Sequence, residues 1–295
     1  IMEKRIVLIG NFDGLHIGHQ KLISKAKKIA CEKNAKVVGV TFNPHPREVL
    51  LNEKIDLILP YSEKKKLMFE YGIDIVDEIK FDKDISEFSP EKFIMDKIIN
   101  LHNPSDIIVG NNFRFGAKAK GNPDLLKSFL NDKVVIHNED IIEKDDESVS
   151  SSLIKNYLKS GDVEKVNLLM GRKYHLFGTV VKGEQRGREI GYPTTNLKTS
   201  WNYLPKGGVY VTRVKIKNVY HESITNIGVR PTFGKSSLQI ESHIFNFNED
   251  VYGEEIIIDF LKRIRDEKKF ETIEKLIENI SQDVKYAKNF FEVNK

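Results

Sequence analysis

Gly10-Asn11-Phe12-Asp13-Gly14-Leu15-His16-Ile17-Gly18-His19 is the stretch on which the fold turns. It follows an apolar run, Arg5 to Gly10, and opens an amphipathic one, Gln20 to Glu32, where Leu22, Ile23, Ala26, Ile29 and Ala30 recur at helical spacing. A glycine turn between a buried strand and a helix suits phosphate, because the first N–H groups of a helix are unpaired and partially positive. Gly10, Gly14 and Gly18 allow close backbone approach. His16 and His19, three residues apart in the first turn, direct both imidazoles toward one spot beyond the strand end. Imidazoles suit a reaction at an α-phosphorus, since they donate hydrogen bonds to the developing charge and to the pyrophosphate that departs. The alternative is a pair of helix-start histidines facing water, but the strand and the glycine turn ahead of them favour function.

Outward from this turn, short apolar runs alternate with amphipathic ones. Arg5 to Gly10, Lys36 to Phe42, Ile73 to Phe81, Asp106 to Gly110 and Lys133 to His137 read as buried strands. Gln20 to Glu32, Ser62 to Tyr71, Pro90 to Leu101 and Pro123 to Leu130 read as helices. The alternation predicts an α/β parallel sheet covered on both faces. After Gly171 the period becomes two, over His175 to Lys182, Gly208 to Lys217, Ser223 to Gly228, Leu238 to Phe247 and Glu255 to Leu261, which predicts a small antiparallel sheet or barrel. An amphipathic helix over about 272–291 closes the pattern. The join runs through Ser152 to Met170, where Ser160-Gly161-Asp162 breaks the pattern and caps a second short helix. Two domains are expected, residues 1–170 and 171–295.

Composition sets limits on function. The 295 residues carry 47 Lys plus Arg against 43 Asp plus Glu, with both signs interspersed, so no basic face for nucleic acid is expected. Lys64-Lys65-Lys66, flanked by Glu63 and Glu70, reads as a solvated helix face. The single cysteine, Cys31, forms no internal disulfide or cysteine zinc site and reads as a small core residue on a helix. No run approaches the ~20 apolar residues that cross a bilayer. The expectation is a soluble, cytoplasmic protein with small-molecule partners, no nucleic acid and no membrane, as a monomer or weak homo-oligomer.

A second constellation lies in the second half. Gly183, Gly187 and Gly191 punctuate Lys182 to Tyr192 and lead into Pro193-Thr194-Thr195-Asn196. Such a loop folds over phosphates, and Thr194 and Asn196 offer neutral oxygens suited to a magnesium ion that bridges nucleotide phosphates. An ordinary hairpin with a glycine-rich connection fits the same spacing. Glu241 shares a strand face with His243 and Phe245, opposite Ile240 and Ile244. There it serves as a base or as a surface partner for a lysine.

The string Gly10 to His19 resembles the H-x-G-H signature of the nucleotidyltransferases and, at full length, the bacterial bifunctional riboflavin kinase and FAD synthetase family. Thr41-Phe42-Asn43-Pro44-His45-Pro46 resembles that family's loop after the second strand, where Asn43 and His45 lie near ATP phosphates. Val109 to Gly116 resembles its fourth strand end, with Asn112 where aspartate is usual and Arg114 in place. Ser150-Ser151-Ser152-Leu153-Ile154-Lys155 is similar to its triphosphate motif, with Lys155 in place of arginine, so weaker or less specific phosphate binding is expected.

Gly187 to Asn196 resembles the G-R-x-x-G-[FY]-P-T-x-N motif of riboflavin kinases, with Arg188 in the second position and Thr195 where alanine is frequent. Asn226 to Thr232, Glu241 to Ile244 and Leu261 to Phe270 follow in order. The resemblance implies a Rossmann-like nucleotidyltransferase domain with a parallel sheet, then a small antiparallel β-barrel riboflavin kinase domain with a C-terminal helix. It implies Mg2+ with ATP as co-substrate, riboflavin phosphorylated to FMN, and FMN adenylylated to FAD. His16 and His19 carry the second step, with Gly10, Asn11, Phe12, Gly18, Asn43, His45, Ser151, Ser152 and Lys155 on ATP, and Asn112 and Arg114 on flavin or nucleotide. Glu241 is the base of the first step, with Gly183, Gly187, Arg188 and Gly191 on ATP, Thr194 and Asn196 on the metal, and Arg265 on flavin. Arg265 also reads as a solvated helix-start charge.

Overall fold

The structure, a computed structural model, describes residues 3–130, 133–140, 142–183, 186–201, 203–232 and 235–294, without the side chains of 186, 229–232 and 235–237. The chain divides into two compact units, Ile1–Ser151 and Ser152–Lys295.

The first unit is built on a parallel sheet of β1 (Arg5–Ile9), β2 (Lys36–Phe42), β3 (Ile75–Ile79), β4 (Asp106–Gly110) and β5 (Val135–Glu139), in the order β3-β2-β1-β4-β5. Ile6 to Ile9 and Ile107 to Val109 are buried without alternation, as strands covered on both faces require. The covering helices are α1 (Ile17–Lys33), α2 (Pro46–Leu51), α3 (Tyr61–Glu70), α4 (Lys83–Ser86), α5 (Pro90–Ile94), α6 (Asn100–His102) and α7 (Pro123–Leu130), and a π-helical stretch, Met95–Ile99, joins α5 to α6. A ribbon of β6 (Glu143–Lys144) and β7 (Glu147–Ser148) follows. Helix α1 starts at Ile17, three residues before the Gln20 expected from the apolar stripe, because its first turn, Ile17-Gly18-His19, carries no core-facing pattern. Cys31 corrects the sequence reading: it is exposed, one step round the helix from Ile23, Ala26 and Ala30, which are buried.

The chain runs β1, β2, β3 toward one edge, then returns to place β4 on the other side of β1. The loops after β1 and β4 therefore diverge and leave a crevice at the strand C-terminal ends, where ligands bind in open α/β sheets. The opposite end of the sheet is held by charge. Asp106 opens β4 fully buried, accepting Lys33 Nζ at 2.8 and 2.7 Å, His137 Nε2 at 2.9 Å and Ser105 Oγ at 2.7 Å. Burial pushes its carboxyl up, and the bonds from Lys33, His137 and Ser105 more than reverse that, holding it below the ordinary 3.8. A depressed carboxylate stabilises the fold above its ordinary value and loses that contribution as pH falls through the depressed one. Asp106→Ala strands Lys33 and His137 and is expected to cost about 3–5 kcal/mol, read by denaturant unfolding at neutral pH. A cost under about 1 kcal/mol contradicts this account of the cluster.

The second unit begins one residue into α8 (Ser151–Ser160) and continues with α9 (Val163–Met170). Asp162 caps α9 by accepting the Lys165 N–H at 3.0 Å, so the Ser160-Gly161-Asp162 break does separate two helices. Both helices group with the second unit rather than ending the first. Asn167 explains this for α9: it donates to the Phe260 carbonyl at 2.9 Å and accepts the Tyr174 N–H at 2.6 Å.

Six strands then close a barrel in the order β10-β11-β12-β9-β8-β13: β8 (Tyr174–Val181), β9 (Thr195–Lys198), β10 (Gly208–Ile216), β11 (Val219–Thr232), β12 (Lys235–Ile244) and β13 (Glu255–Arg265). A short α10 (Arg186–Glu189) sits in the glycine segment. Strand β9 escapes the sequence pattern because its four residues are too few to show a period, yet it bridges β12 and β8 and completes the closure. Inside, the hydroxyls of Thr212, Ser223, Thr225 and Ser242 form one buried chain at 2.7–2.8 Å across β10, β11 and β12, each satisfied by the next. Outside, α11 (Ile273–Val293), capped by Thr272, packs Ala287 and Phe291 on Val209, Val211, Ile224, Phe245 and Leu261.

Candidate functional site

In the first unit the Gly10–His19 segment leaves β1 and enters α1 as the sequence reading expects. His16 is the N-cap of α1 with an extended backbone, and His19 stands one turn in. Their rings stack at 3.7 Å between centroids and 21° between planes, and Phe12 meets His19 edge-on at 5.3 Å. Phe12 is wholly buried, and its ring forms a wall against His19. Gly18 has a specific cause: a Cβ there would lie 3.1 Å from the His16 ring. Asp13 ties the turn from below, accepting the Ile58 N–H at 2.9 Å through its carboxylate and the Ser151 hydroxyl at 2.8 Å through its carbonyl.

The loop after β2 joins the same corner, where Gly10 N–H donates to the Val40 carbonyl and the Thr41 hydroxyl to the Asn11 carbonyl at 3.2 Å. Asn43 precedes a cis Asn43–Pro44 bond and donates to Glu78 at 3.5 Å. His45 caps α2, its Nδ1 accepting the Arg47 N–H at 3.2 Å, while its own N–H donates to the Tyr61 hydroxyl at 2.6 Å. Tyr61 in turn donates to Glu48 at 2.9 Å. After β4, Asn112 and Arg114 are exposed, and Arg114 turns back on the carbonyls of Asn111 and Phe113 at 3.3 and 2.8 Å. Ser152 and Lys155 belong to the second unit, where Lys155 Nζ lies 5.5 Å from the Tyr203 ring centre.

In the second unit a cavity of about 290 Å³ opens on the barrel wall. Strand register explains its lining: Asn196 on β9 pairs with Glu241 on β12, Glu241 with Asn226 on β11, Asn226 with Val209 on β10, and Val209 with Arg265 on β13. Alternation sends Glu241, Asn226, Val209 and Arg265 into the cavity, which Thr194 and Asp283 of α11 also line. The glycine segment lies against the oxygen donors: a Cβ on Gly183 would sit 2.2 Å from Asn196 Nδ2, and one on Gly187 3.4 Å from the Thr194 hydroxyl. Gly191 takes a left-handed φ of +84°, and Arg188 is exposed on α10. Residues 184 and 185 of that segment, and the side chains of Val229 to Thr232 in the matched Asn226–Thr232 stretch, lie outside the described residues.

Arg265 is no solvated charge: it forks onto Asp283 at 2.8–3.1 Å, a bidentate pair between β13 and α11 at the cavity edge. His243 donates through Nδ1 to the Pro193 carbonyl at 2.8 Å, which fixes the turn carrying Thr194. Burial holds the His243 pKa below its ordinary 6.5, against the Pro193 bond and with the help of Lys288.

Two family models partition the chain as the two sites do. An FAD synthetase model matches residues 1–153 and a riboflavin kinase model residues 170–291. The chain belongs to the bifunctional riboflavin kinase/FMN adenylyltransferase family. A member from Bacillus subtilis is 37% identical over 98% of this chain and 93% of its own, and one from Listeria monocytogenes is 33% identical over 97% and 92%. A crystal structure described as a macrolide-efflux protein from Streptococcus pneumoniae superposes with a TM-score of 0.91 over 98% of this chain and 95% of its own, at 29% identity. Among the described residues no helix of this chain is long and apolar enough to cross a membrane.

Two residues have surroundings that the sequence does not display: Asn226, which opens a stretch matched above, and Lys64. Asn226 sits beside Glu241 only through the β11–β12 register, which a sequence does not display. The expected solvated run holds for Lys65 and Lys66, but Lys64 is buried, donating to Thr41 Oγ1 at 2.9 Å and the Asn11 carbonyl at 3.2 Å. Its helical spacing with Leu67 and Met68 was the available signal.

Proposed function

We propose that this chain phosphorylates riboflavin to FMN in the barrel unit and adenylylates FMN to FAD in the sheet unit, with functional domains at residues 1–170 and 171–295. The observation that carries this reading is that each unit holds its own constellation: the stacked His16 and His19 at the start of α1, and Glu241 in register between Asn196 and Asn226.

In the barrel unit, Glu241 accepts the proton of the ribityl primary alcohol as that oxygen attacks the γ-phosphorus of ATP, and the bond to the β–γ bridging oxygen breaks to release ADP. Asn196 beside Gly183 and Thr194 beside Gly187 offer hard, neutral oxygens, a set that fits Mg2+ together with phosphate oxygens. When bound there, the ion supplies charge neutralisation on the phosphates. Gly187, Arg188 and Gly191 flank the phosphates, and Arg265, held by Asp283, faces the flavin.

In the sheet unit, an FMN phosphate oxygen attacks the α-phosphorus of ATP and the bond to the α–β bridging oxygen breaks. His16 and His19 donate hydrogen bonds to the charge that moves onto the phosphates, and the first amides of α1 add to them. Gly10, Asn11, Gly18, Asn43, His45 and Ser151 line the nucleotide side, and Asn112 and Arg114 take the flavin nucleotide. A cytoplasmic location and a monomeric or weakly associating chain belong to the same reading. Direct supply of FMN and ATP tests the second activity apart from the first: FAD and pyrophosphate are expected in equal amounts. No FAD from FMN leaves a riboflavin kinase whose substitutions at Asn112 and Lys155 have silenced the other site.

A further inference from the structure

Lys64 has a chemistry that the two reactions above do not use. It is 4% exposed, and both acceptors of its ammonium are neutral oxygens, the Thr41 hydroxyl and the Asn11 carbonyl. Asp13 on the turn and Glu78 on β3 face it at longer range, and Tyr61 faces it from its own helix, with the ring centre 5.0 Å from Nζ. A buried cation without a contacting carboxylate is costly, and an apolar side chain of equal length would suit the packing alone.

The carbonyl that Lys64 holds belongs to the peptide between Asn11 and Phe12, in the middle of the phosphate-type turn. That peptide is trans, so its C=O and N–H point in opposite directions. Drawing the Asn11 oxygen in toward Lys64 and Thr41 sets the plane of that peptide, and with it the path of the turn that leads to His16. We infer that Lys64 is a positioning residue of the adenylyl-transfer site, which fixes the Asn11–Phe12 peptide of the phosphate-type turn and places a positive charge beneath that turn. This rests on the reading that the His16 and His19 corner holds ATP.

Burial pushes the Lys64 ammonium down to about 8, opposed by Glu78 and Asp13. Its charge, and with it the attraction for ATP, is present below that pH and lost above it. The test uses the full chain and its Lys64→Met and Lys64→Arg variants. FAD formation from FMN and ATP is followed from about pH 6.5 to about pH 9.5, beside FMN formation from riboflavin and thermal unfolding.

Lys64→Met is expected to lower kcat/KM for ATP in FAD formation on the order of 10- to 100-fold at neutral pH. FMN formation and the unfolding temperature should hold. The unsubstituted protein should lose kcat/KM for ATP above about pH 8, and Lys64→Arg should restore part of the activity and flatten that loss. Lys64→Met with full kcat/KM overturns the inference, as does a loss that tracks a lowered unfolding temperature and that arginine fails to rescue. An unsubstituted chain that forms FMN but no FAD overturns the site reading itself, and shows it without any variant.

Discussion

His16→Ala is expected to stop FAD formation while FMN accumulates from riboflavin and ATP. The imidazole sits at the N-cap of α1, stacked on His19 at 3.7 Å and seated over a glycine that leaves room for it. Its loss removes one donor to the transition-state charge, an effect of about 10²–10³ in kcat, and also frees the His19 ring that it stacks against. The barrel unit contains none of these groups, so riboflavin phosphorylation should proceed at its normal rate. Chromatography of the flavins over time reads both outcomes at once.

Glu241→Ala should do the converse. The carboxylate lies between Asn196 and Asn226 in register, on the cavity face of β12, and no other described carboxylate lines the cavity on that strand. Loss of a general base costs about 10²–10⁴ in rate, so FMN formation should fall by that factor, while FMN supplied directly should still become FAD. Gly183 and the glycine segment stay against Asn196 and Thr194 in this variant, so KM for ATP should change much less than kcat. If either substitution halts both steps equally in a folded protein, the assignment of one step to each unit is wrong.

The sheet unit was legible because its buried strands are unbroken apolar runs and its first turn carries glycines and histidines at helix-start spacing. The barrel was legible in its long strands and not in β9, whose four residues show no period. In the barrel, the alternation of β12 set Glu241 on one face with His243 and left its role between a base and a surface partner. The place of Asn226 beside Glu241 was not readable, because lateral neighbours depend on strand register, and register is set by pairing across the barrel rather than by local pattern. Arg265 was left between a flavin contact and a solvated charge until α11 placed Asp283 against it, 18 residues further along the chain. Lys64 shows the converse failure: a charged run was read by composition, although its first member falls on the apolar stripe with Leu67 and Met68.

The central claim is that two pockets in one chain expose different phosphorus atoms of ATP to attack. Isotopic ATP tests it most directly, with label at the γ-phosphate in one reaction and at the α-phosphate in the other, each given riboflavin and magnesium. Among the flavins, the γ label should appear first in FMN and then in FAD, and the α label in FAD alone, while ADP keeps α label and pyrophosphate carries γ label. Label from the α-phosphate in FMN, or γ label that never enters FMN, would contradict the account.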